Sequence, residues 1–337
     1  MAERTYIYAG SQAGAMWRKE AGDEVWEEMV ENGMAPMPKA RAIVTHPQNP
    51  ELVYAGTQRG LYLSRDRGDH WQRARFPEGR EVWSIAFRPD NPQVMYLGTD
   101  GAEVHRSDDG GESWRWISTI VSPHQMEMKF AIRTIGLAME SNNPDVMFAA
   151  LEVGGVARSF DGGQTWEIIN KDLAGIELLD LHGVEVASPQ SDTTLIANRT
   201  GVWRSRDRGD SWENTHIENY SPIIYSRGVQ VAPDDPNTLY ACVGMVYGEE
   251  EGGVMRSTDL GDTWERIDHG VAPRSVTMSV AINPRHPEQV YFCTRKGQVF
   301  GTHDGGATWR EHPLPEPAVS AMADFEAGMM GLACVSV

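Results

Sequence analysis

The chain has 337 residues, with 30 Lys+Arg against 48 Asp+Glu, which gives a formal net charge of −18 at pH 7. This acidic balance disfavours nonspecific binding to nucleic acids and to anionic membranes, because both depend on cationic side chains. No segment approaches the ~18 consecutive apolar residues of a membrane-spanning helix, and the first residues lack the layout of a secretory signal, so we expect a cytoplasmic protein.

In chain order, the first predicted element is a strand that begins at Thr5, and it is followed by Lys19–Trp26, a degenerate copy of an eight-residue motif. Six full copies of this octad follow, each with Ser or Thr first, Asp third, Gly fifth and Trp last, at 64–71, 107–114, 159–166, 205–212, 257–264 and 302–309. Counted from Trp26, the last tryptophans are 45, 43, 52, 46, 52 and 45 residues apart. A period of this size is typical of propellers and repeat arrays.

Most repeats also carry a turn cluster rich in Pro and Asn, such as Pro89–Pro92, with a short apolar run on either side. One repeat therefore predicts an inner strand A, a Pro turn, strand B, a Gly-containing loop, strand C, the octad turn and strand D. Four short strands in ~45 residues indicate a propeller blade. The sequence predicts an all-β fold, one seven-bladed β-propeller that spans residues 1–337.

The two ends of the sequence suggest how the ring closes. The N-terminal strand matches strand B and has no strand A before it, whereas Ala318–Phe325 resembles a strand A without a blade. We therefore expect this C-terminal segment to complete the first blade as its inner strand. The apolar run Gly331–Val337 then has no place in the scheme.

The octads have a structural explanation. An Asp carboxylate can accept hydrogen bonds from nearby backbone N–H groups, Gly allows positive φ, and Trp fills space between adjacent sheets. An array of calcium-binding or acid–base carboxylates is the alternative. Cys242, Cys293 and Cys334 lie in apolar segments without CxxC spacing, which predicts buried thiols and no cysteine-based metal site.

The octad resembles the Asp-box (BNR) repeat, and six matches cover nearly the whole chain. This resemblance implies the sialidase-like class of propellers, which includes sialidases, xyloglucan hydrolases, sortilin-like receptors and a photosystem II assembly factor. Sialidases have six blades, whereas seven are predicted here. A fold does not determine a function.

The octad turns and the Pro turns are expected to lie on one rim of the propeller, and the D–A and B–C loops on the opposite rim. Candidate site residues come from this opposite rim, where loops can vary on a rigid frame. Alignment of the repeats on their turns places one set at a single early position of strand A: Arg41, Trp83, Ile135, His182, Arg227 and Met278. A second set lies two residues earlier: Lys39, Glu81, Arg133, Asp180, Tyr225 and Val276. We expect these residues to surround the channel mouth, with Arg274 nearby.

The predicted ligand-binding residues are Arg41, Trp83, Arg133, Arg227 and Arg274, because guanidinium groups match carboxylates with two parallel hydrogen bonds. The predicted catalytic residues are Glu81, Asp180, His182 and Tyr225. Resemblance to sialidases implies three arginines around a carboxylate, a Tyr225–Glu81 nucleophile pair and Asp180 as acid; Glu81 and Asp180 could also serve a general glycosidase.

No metal site is predicted, and the cofactor is left open. His182 as a metal ligand would need further ligands, for which His124 and Glu127 in the loop 121–130 are the obvious source.

The sequence predicts a protein that binds a small polar or anionic molecule, such as a sugar derivative, with hydrolase or lyase chemistry as an extension. Two alternatives remain at this point. The mouth could be a solvated channel lined by polar residues, and the protein could be a non-catalytic scaffold that binds a protein partner.

Overall fold

In the computed structural model, residues 3–30, 32–123, 131–187, 193–246, 250–322 and 328–337 are described. They form seven antiparallel sheets of four strands each. The inner strand of each sheet packs against the inner strand of the next, and the last packs against the first. The predicted seven-bladed β-propeller is confirmed.

The blades are numbered in chain order, and blade 1 combines the first three strands with the last one. Blade 1 contains β1 Thr5–Ser11, β2 Met16–Glu20, β3 Glu27–Glu28 and β28 Met329–Ser336; blade 2 contains β4 Ala40–His46, β5 Asn49–Thr57, β6 Gly60–Ser64 and β7 Gln72–Arg73; and blade 3 contains β8 Val82–Phe87, β9 Met95–Thr99, β10 Glu103–Ser107 and β11 Arg115–Thr119. Blade 4 contains β12 Arg133–Met139, β13 Met147–Glu152, β14 Gly155–Ser159 and β15 Glu167–Ile168, and blade 5 contains β16 Leu181–Ala187, β17 Thr193–Asn198, β18 Gly201–Ser205 and β19 Glu213–Asn214. Blade 6 contains β20 Tyr225–Val231, β21 Leu239–Gly244, β22 Gly252–Ser257 and β23 Glu265–Arg266, and blade 7 contains β24 Thr277–Ile282, β25 Val290–Thr294, β26 Val299–Thr302 and β27 Arg310–Glu311.

Within the described ranges, three short helices lie in the connections: α1 at Ile176–Leu179, a 3₁₀ turn at Ile217–Asn219 and α2 at Glu316–Ala321. Among the helices of the described residues, none has both the length and the apolar character needed to cross a membrane.

The octads form the C–D turns, and their carboxylates are bonded inside the turn. In the octad at 159–166, Ser159 Oγ donates to Asp161 Oδ1 over 2.8 Å, and the Thr165 N–H and hydroxyl donate to the same carboxylate over 2.9 and 2.6 Å. Gly163 has φ of +83°, a conformation that glycine adopts without strain. Each Asp therefore ties its own turn together.

The octad tryptophans link neighbouring blades. Trp212 Nε1 donates to the carbonyl of Ile169 over 2.9 Å, and Trp309 Nε1 donates to that of Ile267 over 2.6 Å. In both pairs the acceptor belongs to the preceding blade. The indoles thus fill the space between sheets, as the repeat pattern predicts.

The ring closes through a C-terminal strand, as predicted, but the segment assigned to it was wrong. β28 pairs antiparallel with β1, with Tyr8 opposite Ala333. Ala318 instead belongs to helix α2, in which Pro317 occupies the first turn, where a proline costs no helical hydrogen bond. The apolar run after Gly331, which had no place in the predicted scheme, is the closing strand.

Every inner strand carries a β-bulge at the same point, near its start. The register skips one residue on each inner strand, and the seven skipped residues, in blade order, are Met330, Arg41, Trp83, Ile135, His182, Arg227 and Met278. A bulge leaves one residue out of the ladder and re-aims its side chain. All seven residues, called the bulge ring below, line a central channel of about 670 Å³.

Candidate functional site

The bulge ring lies at one mouth of the channel, on the rim opposite the octads. Each ring residue follows a D–A connection at the start of its inner strand. Arg41 Nη1 donates to Gln12, which lies in the B–C loop of blade 1. The side chains that the repeat alignment grouped therefore meet the B–C loops on one rim.

Six of the seven ring residues share one aligned position in the sequence, and Met330 was missed because the closing strand was misplaced. A local signal identifies it. The residue after each bulge is small in all seven blades: Gly331, Ala42, Ser84, Gly136, Gly183, Gly228 and Ser279. Two of these positions lie close to a neighbouring inner strand, since a Cβ on Gly136 would lie 3.2 Å from Val184 and one on Gly331 would lie 3.3 Å from the Ile43 nitrogen, whereas a Cβ on Gly228 would meet open space.

Blades 2, 3 and 4 contribute a stack of two guanidinium groups and one indole. Arg41 and Arg133 each place the guanidinium carbon 4.1 Å from the Trp83 ring centroid. Since the two arginines come from the blades on either side of Trp83, the indole lies between them. A cation over an indole face is a favourable contact, and more so when water is excluded.

Both stacked arginines are also ion-paired. Arg41 Nη2 lies 3.1 Å from Glu81 Oε2, and Arg133 Nη1 lies 2.8 Å from Glu152 Oε2. Trp83 is only 7% exposed and carries a cation on each face. It therefore positions two guanidinium groups and does not offer a free face on which a ligand could stack.

Blades 5 and 6 contribute a hydrogen-bonded cluster. His182 Nδ1 lies 2.6 Å from the Ser226 carbonyl oxygen, so this nitrogen donates. Nε2 is then the acceptor for the Tyr225 hydroxyl at 3.3 Å, and Arg227 Nη1 donates to that hydroxyl over 3.4 Å. Burial, and next the positive charge of Arg227, lower the pKa of His182, so the imidazole is neutral at pH 7.

Asp180 has a defined charge state in the same cluster. Its Oδ2 lies 2.8 Å from Arg199 Nε and 3.6 Å from His182 Nε2. Burial acts to raise the pKa of Asp180, but its neighbours His182 and Arg199 lower it, and since His182 is neutral at pH 7, Arg199 is the partner that keeps Asp180 ionised there. Burial also raises the pKa of Tyr225. At neutral pH the cluster therefore holds an ionised Asp180 and a protonated Tyr225.

The mouth is electrically neutral in a strongly anionic molecule. The charged side chains of the stack and the cluster are four arginines, Arg41, Arg133, Arg199 and Arg227, against four carboxylates, Glu81, Glu152, Glu177 and Asp180. These groups carry no net charge, whereas the whole chain carries −18. The mouth is therefore less repulsive to small anions than the rest of the molecule.

Other predicted site residues lie apart from the bulge ring. Arg274 is exposed, and only its backbone N–H is bonded, to Gln298 Oε1 over 2.7 Å. Among the described contacts, Tyr225 lies with His182 and Glu81 lies with Arg41, so the Tyr225–Glu81 pair implied by sialidases is not formed. His124 and Glu127 lie outside the described residues. The described ranges contain no cluster of three or more metal-binding side chains.

Sequence reasoning missed one ionisable group inside the channel. Glu185 lines the channel, and its Oε1 accepts a hydrogen bond from Gln230 over 2.7 Å. Burial raises the pKa of Glu185 to about 7, against a smaller opposing effect of Gln230. Five residues of extended strand separate it from Asp180 by roughly 15 Å, so the two carboxyl groups cannot act on one bond.

The chain is similar to several families of larger propeller proteins. A family model described as "Sortilin, neurotensin receptor 3" matches residues 252–328. An oligoxyloglucan-reducing end-specific xyloglucanase of Emericella nidulans is 21% identical over 330 residues, which cover 80% of this chain and 40% of that protein. Sortilin of Rattus norvegicus is 23% identical over 233 residues, or 64% of this chain and 24% of that protein. The chain thus spans about two fifths of the length of this xyloglucanase.

Solved structures agree on the fold. A GH74 enzyme of Niastella koreensis superposes with a TM-score of 0.65 at 19% identity, over 81% of this chain and 45% of that one. YCF48 bound to D1 peptide superposes with a TM-score of 0.53 at 17% identity, over 81% of each chain. At these identities the likeness establishes the propeller and leaves the ligand open.

Proposed function

We propose that the bulge ring binds a small anionic molecule, and that carbohydrate acids are the first class to test. The observation that carries this proposal is the group of arginines from four blades that converges on one mouth of the channel. The similarity to xyloglucanases supports a carbohydrate-derived ligand. We also propose that the chain is an Asp-box propeller in which the octads form the structural frame and the opposite rim carries the binding site.

Binding is favoured over hydrolysis by the state of the two predicted carboxylates. Asp180 is ionised at neutral pH and bonded to Arg199, and Glu81 is ion-paired with Arg41. A glycosidase needs one carboxyl group that can donate a proton to the leaving group. Hydrolysis is therefore the weaker proposal, and it rests on relatives more than twice the length of this chain.

Isothermal titration with methyl β-D-glucuronide, at low and at high salt, tests the proposal. We expect binding that weakens with salt, and we expect Arg227→Gln to lose about 2–5 kcal/mol of binding free energy, as removal of one buried charged partner does. Arg88→Gln is the matched control, because Arg88 pairs with Asp90 and Asp145 on the opposite rim. Equal affinities of wild type and Arg227→Gln would refute an anion site at the ring.

A peptide-binding role is the second candidate. Five exposed apolar side chains lie in the D–A and B–C connections of the same rim: Met37, Val121, Tyr220, Met245 and Val246. YCF48, a structural neighbour, is a propeller solved with a bound peptide. A Met245→Ser/Val246→Ser variant tests this role. Loss of binding to an acidic peptide in this variant, with no loss in Arg227→Gln, would favour peptide docking over the small-anion site.

A further inference from the structure

The bulge ring is chemically divided into two sides. In ring order, Met278 of blade 7 and Met330 of blade 1 are neighbours, and arginines flank them as Arg227 of blade 6 and Arg41 of blade 2. Because the backbone geometry is the same at all seven positions, the difference lies in the side chains alone. Met278 and Met330 are called the methionine arc.

The methionine arc is continuous with the apolar core. Met278 is 5% exposed and belongs to a buried cluster with Val276, Met329 and Leu332, against which Met330 packs. Met278 and Met330 also line the channel. The methionine arc is therefore the edge of the core at the channel, and Met330 is its more exposed member.

A guanidinium group adjoins this surface on one side. The Tyr225 ring belongs to the same buried cluster as Met278, and the Tyr225 hydroxyl accepts a hydrogen bond from Arg227 Nη1 over 3.4 Å. Arg227 thus adjoins the apolar cluster of Met278 through the buried Tyr225, and this cluster reaches the channel at Met330. A fully hydrophilic anion would use Arg227 and leave Met330 in contact with water.

We infer that the ligand of the bulge ring is an amphipathic anion, with its anionic group at Arg227 and an apolar group of about the size of a phenyl ring on the methionine arc. This inference rests on the proposed function and specifies its ligand class. Methionine side chains adapt in shape and make favourable sulfur–aromatic contacts. The channel encloses about 670 Å³ over its whole length, from the bulge ring to the A–B turns.

Three matched glycosides separate the two parts of the ligand. Phenyl β-D-glucuronide has both the anion and the apolar group, methyl β-D-glucuronide lacks the apolar group, and phenyl β-D-glucoside lacks the anion. We expect phenyl glucuronide to bind at least about tenfold more tightly than either of the others, because only it fills both surfaces.

Variants assign the effect to the arc. Met330→Gln is expected to reduce the preference for phenyl over methyl glucuronide by about tenfold, whereas Met330→Leu keeps the preference. Met245→Gln is the control, because Met245 is an exposed methionine of the same rim outside the ring. If Met330→Gln does not fold, NMR spectra of the wild-type protein labelled with ¹³C-methyl methionine test the same contact. The Met278 and Met330 signals are assigned with Leu variants. Phenyl glucuronide is expected to shift these two signals and to leave that of Met245 unchanged.

The outcomes are distinguishable. Equal affinities for phenyl and methyl glucuronide, or unshifted Met278 and Met330 signals on binding, overturn the amphipathic ligand while the anion site stands. Failure of both glucuronides to bind overturns the proposed function together with this inference.

Discussion

The two rims of the propeller use repetition in opposite ways. On the octad rim, six turns repeat the same side chains and the same bonds, such as those of Asp161 with Ser159 and Thr165. On the other rim, seven bulges repeat the same backbone geometry but carry different side chains, from Met330 to His182. Identical side chains at equivalent positions indicate a frame, and we propose that the different side chains on identical backbone form a binding site.

The two rims also differ in how their charged side chains are paired. The third-position octad carboxylates are bonded within their own turns, as Asp161 is with Ser159 and Thr165. Ring charges pair across elements, as Arg41 does with Glu81 of the next blade and Asp180 with Arg199. The stack of Arg41, Trp83 and Arg133 therefore depends on the packing of blades 2, 3 and 4 against one another.

Removal of residues 328–337 should have the largest effect. It takes away β28 and with it Met330, exposes the edge of β1 and leaves all six octads intact. An open inner edge invites aggregation, so we expect the truncated protein to aggregate or to melt at least about 10 °C lower. Calorimetry and size-exclusion chromatography measure this. The excised peptide, added in trans, is the control and should restore the melting temperature; a truncated protein with wild-type melting would show that β28 does not close the ring.

Trp83→Ala should cost about 3–5 kcal/mol of unfolding free energy, because it removes a buried indole and the contacts of two guanidinium groups. Trp116→Ala is the matched control, since Trp116 is an exposed tryptophan on β11, and it should change stability by no more than about 0.5 kcal/mol. Urea unfolding measures both variants. Similar losses in the two would contradict a packed stack at the mouth.

Asp161→Ala should cost about 1–3 kcal/mol, because the Ser159 and Thr165 hydroxyls and two backbone N–H groups lose their acceptor. Ligand affinity per folded molecule should not change. Asp145→Ala, on the same rim in an exposed pair with Arg88, should cost about 0.5 kcal/mol or less. A stable Asp161→Ala protein that no longer binds ligand would reverse the assignment of frame and site.

The smallest expected effect is a dependence of the free energy of unfolding on pH, which we attribute to Glu185. Burial raises its pKa from 4.5 to about 7, so folding favours the neutral form. The contribution of Glu185 to stability is then fully present below pH 4.5 and is lost as the pH rises through about 7, with a total loss of about 1–3 kcal/mol. Glu185→Gln should remove this loss, so that it is more stable than wild type at pH 8 and similar to it at pH 5. Parallel pH profiles of the two proteins, from urea unfolding, would contradict a buried neutral carboxyl group.

The fold could be predicted from the sequence because its signals are local and repeated. Tryptophan spacing indicated seven blades, and the turn clusters placed the strands. The closing strand was misassigned because Ala318–Phe325 and Gly331–Val337 both have strand-like apolar patterns. Which of the two segments closes the ring is decided by pairing with β1. The paired residues, such as Tyr8 and Ala333, lie near opposite ends of the sequence.

The site could be predicted only as a set of positions. Alignment on the turns found six of the seven bulge residues, since each blade builds the bulge in the same place. It did not reveal the partners, because Glu152 and Arg199 reach Arg133 and Asp180 from the end of strand B and from a B–C loop. Alignment of the repeats did not identify Glu185 as a candidate, because its raised pKa comes from the enclosure of the channel by all seven blades.

A crystal structure of the protein soaked with phenyl β-D-glucuronide tests the division into frame and site most directly. The expected result is a ligand at the bulge ring, with its carboxylate on Arg227 and its phenyl group on Met278 and Met330. A bulge ring without ligand, with its arginines held by protein carboxylates alone, or a ligand bound at the octad rim, would contradict it.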